Sequence, residues 1–351
     1  MIEPSGLDKR KAYILATVVY EYIATAEPVG SQALTQKYNL GISSATVRNV
    51  MAELEAGGYL VQPHTSAGRI PSDAGYRTYV DRLMQPEELT TDDRRRIGDE
   101  LSAATRELDE IIDQTTRLLG RLSNNLAFVT KPQQATQTFK HVQLIWLSPH
   151  TGVAIVVTSL GVAAQSLFEL GAEIGPDDLT RFSNALNPRL ANRRLLDVTE
   201  KDIARAAQEV GASDDLRAAV VNACASARSS EQPIISSAGA QNLLDQPEFH
   251  DLRKLRSILR IVEEQKTLYQ IVTEAMSDEN ASVKIGHELG SEELSDLSVV
   301  TVPYRVGSEA YGTLSILGPR RMPYARLLAL ASGTAATLNE RLSDLDYAAP
   351  D

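Results

Sequence analysis

Two neighbouring stretches constrain this 351-residue chain more than anything else in it. Gly41-Ile42-Ser43-Ser44-Ala45-Thr46-Val47-Arg48-Asn49 reads as a tight turn delivering a helix whose start is capped by short polar side chains. Gln62-Pro63-His64-Thr65-Ser66-Ala67-Gly68-Arg69-Ile70-Pro71 reads as a hairpin tip that carries a cation. Upstream, residues 7–25 place Ile14, Leu15, Val18, Val19, Tyr22 and Ile23 on one helical face, and Pro28 ends the segment. A short helix is expected from about Ser31, which can cap its start, to Tyr38, followed by a turn at Asn39-Leu40-Gly41. The next helix runs from about Ser44 to Ala56, with Val47, Val50, Met51 and Leu54 at helical spacing, and stops at Gly57-Gly58. Tyr59-Leu60-Val61 and Arg69-Ile70 can pair as strands, and Ser72 caps a further helix to about Met84. Three helices, a hairpin and a closing helix give the element order of a winged helix-turn-helix over residues 1–85.

In that architecture the second helix of the motif enters the major groove and its N-terminal residues meet base edges. The face opposite Val47, Met51 and Leu54 carries Ala45, Asn49 and Ala52, flanked by Thr46, Arg48 and Glu53. Small side chains there permit close approach. Asn49 can contact adenine in bidentate fashion, and Arg48 a guanine or a phosphate. Ser31, Ser44 and Thr46 are candidates for positioning phosphates. In the hairpin, His64 and Arg69 can reach a minor groove or phosphates, and Thr65 and Ser66 can donate to phosphate oxygens. A polar hairpin alone is an ordinary solvated loop; its position directly after a candidate recognition helix gives it weight.

Net charge, −11, argues at first sight against a nucleic-acid partner. Yet residues 1–85 hold eight Lys/Arg and eight Asp/Glu, so the whole excess of acid lies beyond them. A neutral head before an acidic body disfavours loose binding and places affinity on specific contacts. Cys224 is the single cysteine, which excludes an internal disulfide and a cysteine-based zinc site and suits a reducing cytoplasm. Charges at Asp8, Lys9, Arg10, Lys11 and Glu21 exclude a signal peptide. The apolar run from Gly152 to Ala164 is broken by Thr158 and Ser159 and too short to span a bilayer, so no membrane partner is expected. The five histidines are scattered, and the chain lacks a phosphate loop, a nucleophile elbow and a dinucleotide fingerprint. These absences point to a protein that is not an enzyme and that carries no cofactor or metal.

Beyond a linker at Pro86 to Thr91, a long helix is expected over about 92–126. Its Ile97, Leu101, Ala104, Leu108, Ile111, Thr115, Leu118 and Leu122 recur at alternating steps of four and three. Such a seam can pack in cis, across a dimer, or against a sheet. Residues 142–147, 153–157 and 162–170 read as three antiparallel strands, followed by helices at about 176–186, 200–210 and 214–230. A strand starts at Gln232-Pro233-Ile234-Ile235, and a second long helix is expected from Asp251 to Met276. Strands at Val283–Ile285, Ser298–Val306 and Gly312–Ile316 precede a final helix from about Tyr324 to Leu342. One α/β domain interrupted by another gives this order.

On these residues the chain resembles the HrcA family, bacterial repressors of class I heat-shock operons. The resemblance rests on Thr25-Ala26-Glu27-Pro28-Val29-Gly30-Ser31, Ser43 to Asn49, Gln62 to Pro71, Gly75-Tyr76-Arg77 and Tyr79-Val80-Asp81. Weaker matches lie at Gln246-Pro247-Glu248-Phe249, Tyr311-Gly312-Thr313 and Gly318 to Tyr324. It implies an α+β multidomain protein. The winged helix-turn-helix would span 1–85, a GAF-like α/β domain 86–137 and 231–351, and an inserted dimerising domain, a three-stranded antiparallel sheet plus helices, 138–230. It further implies a homodimer that binds the CIRCE inverted repeat of chaperone (groE/dnaK) operons, kept active by the GroEL chaperonin and inactivated on heat shock. Two positions depart from the expected pattern: Gln32 stands where many relatives carry a basic residue, and Val50 where an acidic one is expected. The alternatives are a small-molecule sensor in the GAF-like domain, for which the sequence offers no distinctive ligand constellation, and an enzyme or chaperone-associated adaptor whose N-terminal domain binds protein.

Overall fold

The computed structural model describes residues 7–65, 67–103, 107–131, 138–159, 161–169, 171, 174–228, 235–249, 280–306 and 309–347. The apolar stripe near the N-terminus forms α1 (Lys9–Thr25), started by Asp8, whose carboxylate accepts the Lys11 N–H at 2.8 Å. Two further helices, α2 (Ser31–Lys37) and α3 (Ser44–Ala56), pack on it around Leu15, Val18, Leu34, Val47, Met51 and Leu54, all buried. Burying each such side chain stabilises by about 1.5–3 kcal/mol, so the shared core, rather than helix propensity, holds these short helices. Glu21 links α1 to the end of α2: its carboxylate accepts from Lys37 Nζ at 2.7 Å and from the Tyr38 hydroxyl at 2.6 Å. The Lys37 bond, then the Tyr38 bond, hold its pKa below the usual carboxylate value.

Strand β1 (Leu60–Val61) pairs antiparallel with β2 (Ile70–Pro71), and Arg69 exchanges two 2.9 Å backbone hydrogen bonds with Val29. Gly68 makes that second contact possible, because a Cβ there would sit 2.4 Å from the Val29 carbonyl oxygen. A Gly68→Ala variant is therefore expected to lose about 1–3 kcal/mol of stability as the hairpin is forced off Val29. Urea unfolding of the head, followed by near-ultraviolet circular dichroism, checks this; a wild-type midpoint would contradict the contact. Ser72 caps α4 (Asp73–Thr78) by accepting the Gly75 N–H at 3.1 Å, and a wider turn continues from Tyr79 to Leu83.

The single helix expected over 92–126 is two helices, with a strand beginning at its end. α5 (Thr91–Ser102) and α6 (Leu108–Ser123) pack on each other and on the last helix of the chain, and β3 (Leu126–Thr130) follows. The heptad spacing is satisfied in cis: Ile97, Leu101, Ile111 and Leu118 are buried within this one chain. Asn124 adopts the left-handed conformation, φ 51°, which ends α6 and turns the chain into β3.

The body's larger sheet also includes β7 (Ile235–Ala238), β8 (Ser282–Ile285), β9 (Leu297–Val306) and β10 (Glu309–Pro319). Its order is β7-β3-β10-β9-β8, with every pairing antiparallel. Alternate residues face opposite sides of the sheet, and both sides are buried. Ala127, Val129, Leu314 and Ile316 face a core shared with α5, α6 and the final helix, α11 (Tyr324–Tyr347). Leu126, Phe128, Leu317 and Val299 face a second core with Leu243, Phe249, Leu289 and Leu294, beneath the short helix α10 (Ala240–Leu244) and single turns.

Between the adjacent strands β3 and β7 the chain builds the expected three-stranded antiparallel sheet, β4 (Phe139–Ser148), β5 (Thr151–Thr158) and β6 (Gly161–Glu169). One face is covered by α7 (Pro176–Leu190) and α9 (Asp214–Arg228), with α8 (Glu200–Val210) against both helices, around a separate core. Cys224 lies in that core, where burial pushes its thiol pKa up to about 11. The helix expected from Asp251 to Met276 lies outside the described residues. No helix among the described residues is long and apolar enough to cross a membrane.

The head joins the body through α4. Asp73 accepts from Arg320 Nη1 at 2.8 Å and meets the His287 ring Nδ1 at 2.7 Å. The Asp73 carboxylate raises the pKa of His287 above 6.5. This folded-state pKa is raised, so the pair's contribution is present below the unfolded histidine value and fades as pH rises through the folded one. An NMR titration is expected to give an elevated His287 pKa that returns toward the ordinary value in Asp73→Asn; an equal pKa in both proteins would contradict the contact.

Candidate nucleic-acid interface

Gly41, at φ 66°, makes the turn between α2 and α3 that an L side chain disfavours. Ser43 then caps α3: its hydroxyl accepts the Thr46 N–H at 3.2 Å and lies 2.9 Å from the Thr46 hydroxyl. Both hydroxyls are thus engaged in fixing the first turn, while Ser44 is the first helical residue. The helix buries Val47, Val50, Met51 and Leu54 and turns Ala45, Arg48, Asn49 and Ala52 outward. Val50 extends the buried edge, which accounts for an apolar residue there. Arg48 and Asn49 are exposed and engage no partner among the described residues.

Beside this face runs a basic segment that the sequence reading passed over. Lys11 pairs with Glu53 of α3 at 2.8 Å, which brings the exposed Lys9 and Arg10 at the start of α1 alongside α3. The run Lys9-Arg10-Lys11 was the available signal; its closeness to α3 depends on tertiary packing.

The chain aligns with curated relatives over nearly its whole length. It is 37% identical over 339 residues to the heat-inducible transcription repressor HrcA of Pelotomaculum thermopropionicum, covering 96% of this chain and 97% of the relative. It is 36% identical to the protein of that name from Moorella thermoacetica, covering 97% and 99%. A family model for the HrcA protein C-terminal domain matches residues 109–328. The chain belongs to the HrcA family. A crystal structure described only as a hypothetical protein is also similar, with a TM-score of 0.61 at 25% identity, over 97% of this chain and 99% of the other. These HrcA relatives are named as transcription repressors and not as enzymes. The family model begins within α6, so the head's place in the HrcA alignment comes from the full-length relatives.

The other residues singled out in this HrcA member fall into two groups. His64 and Thr65 are exposed at the hairpin tip, which Gln62 holds by donating from Nε2 to the Thr65 carbonyl at 3.0 Å and the Ala67 carbonyl at 2.9 Å. Ser66 lies outside the described residues. Two residues are placed differently from expectation. Ser31 is not the cap of α2: Gly30 occupies that position, and Ser31 is the first helical residue, only 8% exposed. Arg69 does not project from the tip; its Nε and Nη2 both reach Glu55 Oε2 at 2.9 Å, clamping the hairpin to the end of α3. Sequence spacing marks a cation but not its partner fourteen residues upstream.

Proposed function

We propose that this HrcA family member is a sequence-specific DNA-binding repressor of heat-inducible transcription, with residues 1–85 as a winged helix-turn-helix. The observation that carries this is α3: a capped helix with one face fully packed and the other presenting Arg48 and Asn49 between small residues. Arg48 and Asn49 read bases in the major groove. Ser44, Ala45 and Thr46 set the helix's close approach to the backbone, with Lys9 and Arg10 adding phosphate contacts. His64, Thr65 and Ser66 form the tip of the wing, and Arg69 holds the wing at a fixed angle to α3. Ser31, buried at the start of α2, supports that helix rather than touching phosphate.

Residues 86–137 and 231–351 form the GAF-like domain, and 138–230 the inserted dimerising domain. Its three-stranded sheet supports that role. The face away from α7 and α9 carries Ile145, Val153 and Leu167 in one cross-strand row, with Ile145 38% and Leu167 69% exposed. An apolar sheet face of this kind marks an interaction surface, and a two-fold axis makes one patch serve both subunits. The dimer presents two copies of α3 to the half-sites of the CIRCE inverted repeat in chaperone operons, in the cytoplasm. The GroEL chaperonin maintains the binding-competent form.

A mobility-shift titration with CIRCE and scrambled duplexes tests the function. Specific retention of CIRCE, increased by GroEL, is the expected result. Equal retention of both duplexes, with and without GroEL, would favour a head that binds protein.

A further inference from the structure

We propose that Asp73 and Arg77 are positioning residues that fix the angle at which the DNA-reading head sits on the body, and so set which half-site spacing the dimer accepts. This rests on the reading of α3 as the recognition helix of a dimer.

The mount is asymmetric. On the α4 side the head is fastened by charged groups around an aromatic centre. Asp73 accepts from Arg320 Nη1 at 2.8 Å and from the His287 backbone N–H at 3.2 Å. Arg77 donates from Nε to Glu288 Oε1 at 2.9 Å and from Nη2 to the Val283 carbonyl. Glu288 is itself oriented by the Ile285 N–H at 2.9 Å. Between these contacts Tyr76 meets Tyr324 edge to face, with ring centroids 6.1 Å apart and both rings buried. Gly286 permits the approach: a Cβ there would lie 2.5 Å from Asp73 Oδ2.

On the α1 side the same seam is open. A cleft of about 510 Å³ separates Tyr20 and Ile23 of α1 from Asn125, Arg321 and Met322 of the body. A smaller polar cavity of about 40 Å³ lies within the seam, where the Tyr76 hydroxyl has no partner among the described residues. A head held on one side and open on the other takes its tilt from the held side.

That tilt is transmitted to α3. Ser72 donates its N–H to the Tyr59 carbonyl at 3.1 Å and its hydroxyl to Gly58, and Gly75 lies against the Tyr59 carbonyl. α4 is thus locked to the end of α3, and the ion pairs on α4 set the direction in which Arg48 and Asn49 point. In a two-fold dimer a small tilt counts twice in the separation of the two helices, which must match whole turns of DNA.

The test uses the full chain as wild type and as Asp73→Asn/Arg77→Gln. Each is titrated with duplexes carrying two half-sites at graded spacings, and with one half-site alone. Wild type is expected to prefer one spacing by about tenfold or more. In the double variant that preference falls to about threefold or less, and single half-site binding is unchanged. Undiminished spacing preference in the double variant would overturn the proposal. A second arm needs no DNA: electron–electron distance measurements between spin labels at Ala52→Cys on α3 and Asp99→Cys on α5. The head–body distribution is expected to be narrow in wild type and broad in the double variant; an equally narrow one overturns the proposal. Failure of wild type to prefer any paired half-sites over scrambled DNA, with the distances behaving as expected, would instead overturn the DNA-reading function and leave the mount standing.

Discussion

Arg48→Ala/Asn49→Ala is expected to abolish discrimination between operator and scrambled DNA while leaving the protein folded. Both side chains are exposed and neither has a partner among the described residues, so removing them costs no internal contact. Alanine is the strongest helix former, and the buried row Val47, Val50, Met51 and Leu54 is untouched. Each bidentate base contact contributes about 1–3 kcal/mol of discrimination, so the pair together accounts for about 30- to 20,000-fold in operator preference. The acidic body sharpens the effect. With the head neutral and the whole net charge of −11 beyond it, little non-specific attraction remains to hold the variant on DNA. Fluorescence anisotropy on operator and scrambled duplexes at two salt concentrations measures both quantities. Retained discrimination in the double variant would move base reading away from α3.

Ile145→Asp/Leu167→Asp is expected to split the proposed dimer without unfolding the subunit. Both side chains lie on the exposed face of the inserted sheet, outside the core of Phe139, Val142, Phe182 and Ile203. An unpaired carboxylate buried in an interface carries a large desolvation cost, and two-fold symmetry places each substitution twice and opposite like charges. The dimerisation constant should weaken by about a hundredfold or more. Sedimentation equilibrium reads this directly, and operator affinity should fall to that of a single half-site. A dimer of wild-type strength would show that another surface joins the subunits.

Much of this structure is legible in local sequence, and the failures share one cause. The Gly41 turn, the caps at Ser43 and Ser72 and the inner face of α3 follow from short-range rules, and each is found as the residues suggest. So do the strands of the inserted sheet, whose β5 alternates buried and half-buried residues along its length. The long helix over 92–126 fails because heptad spacing cannot distinguish one helix from two that fold back on the same core. β3, which begins where that helix was expected to end, is missed because its five residues are all buried and show no alternation. At the candidate site, exposure of Arg48 and Asn49 follows from helical periodicity. The Arg69–Glu55 clamp, the Lys11–Glu53 pair that brings the basic start of α1 beside α3, and the seam around Asp73 do not. Each joins residues far apart in sequence, and Asp73 and Arg320 are separated by 247 positions. Charge type is written locally; charge partners are set by the fold.

In the proposed function a two-fold dimer reads an inverted repeat through α3. Hydroxyl-radical footprinting of the full chain on a CIRCE-containing duplex, with and without GroEL, tests it most directly. Protected patches related by the two-fold axis of the repeat, strengthened by GroEL and lost in Arg48→Ala/Asn49→Ala, are the expected result. Uniform protection along the duplex, or a symmetric footprint that survives that double substitution, would contradict it.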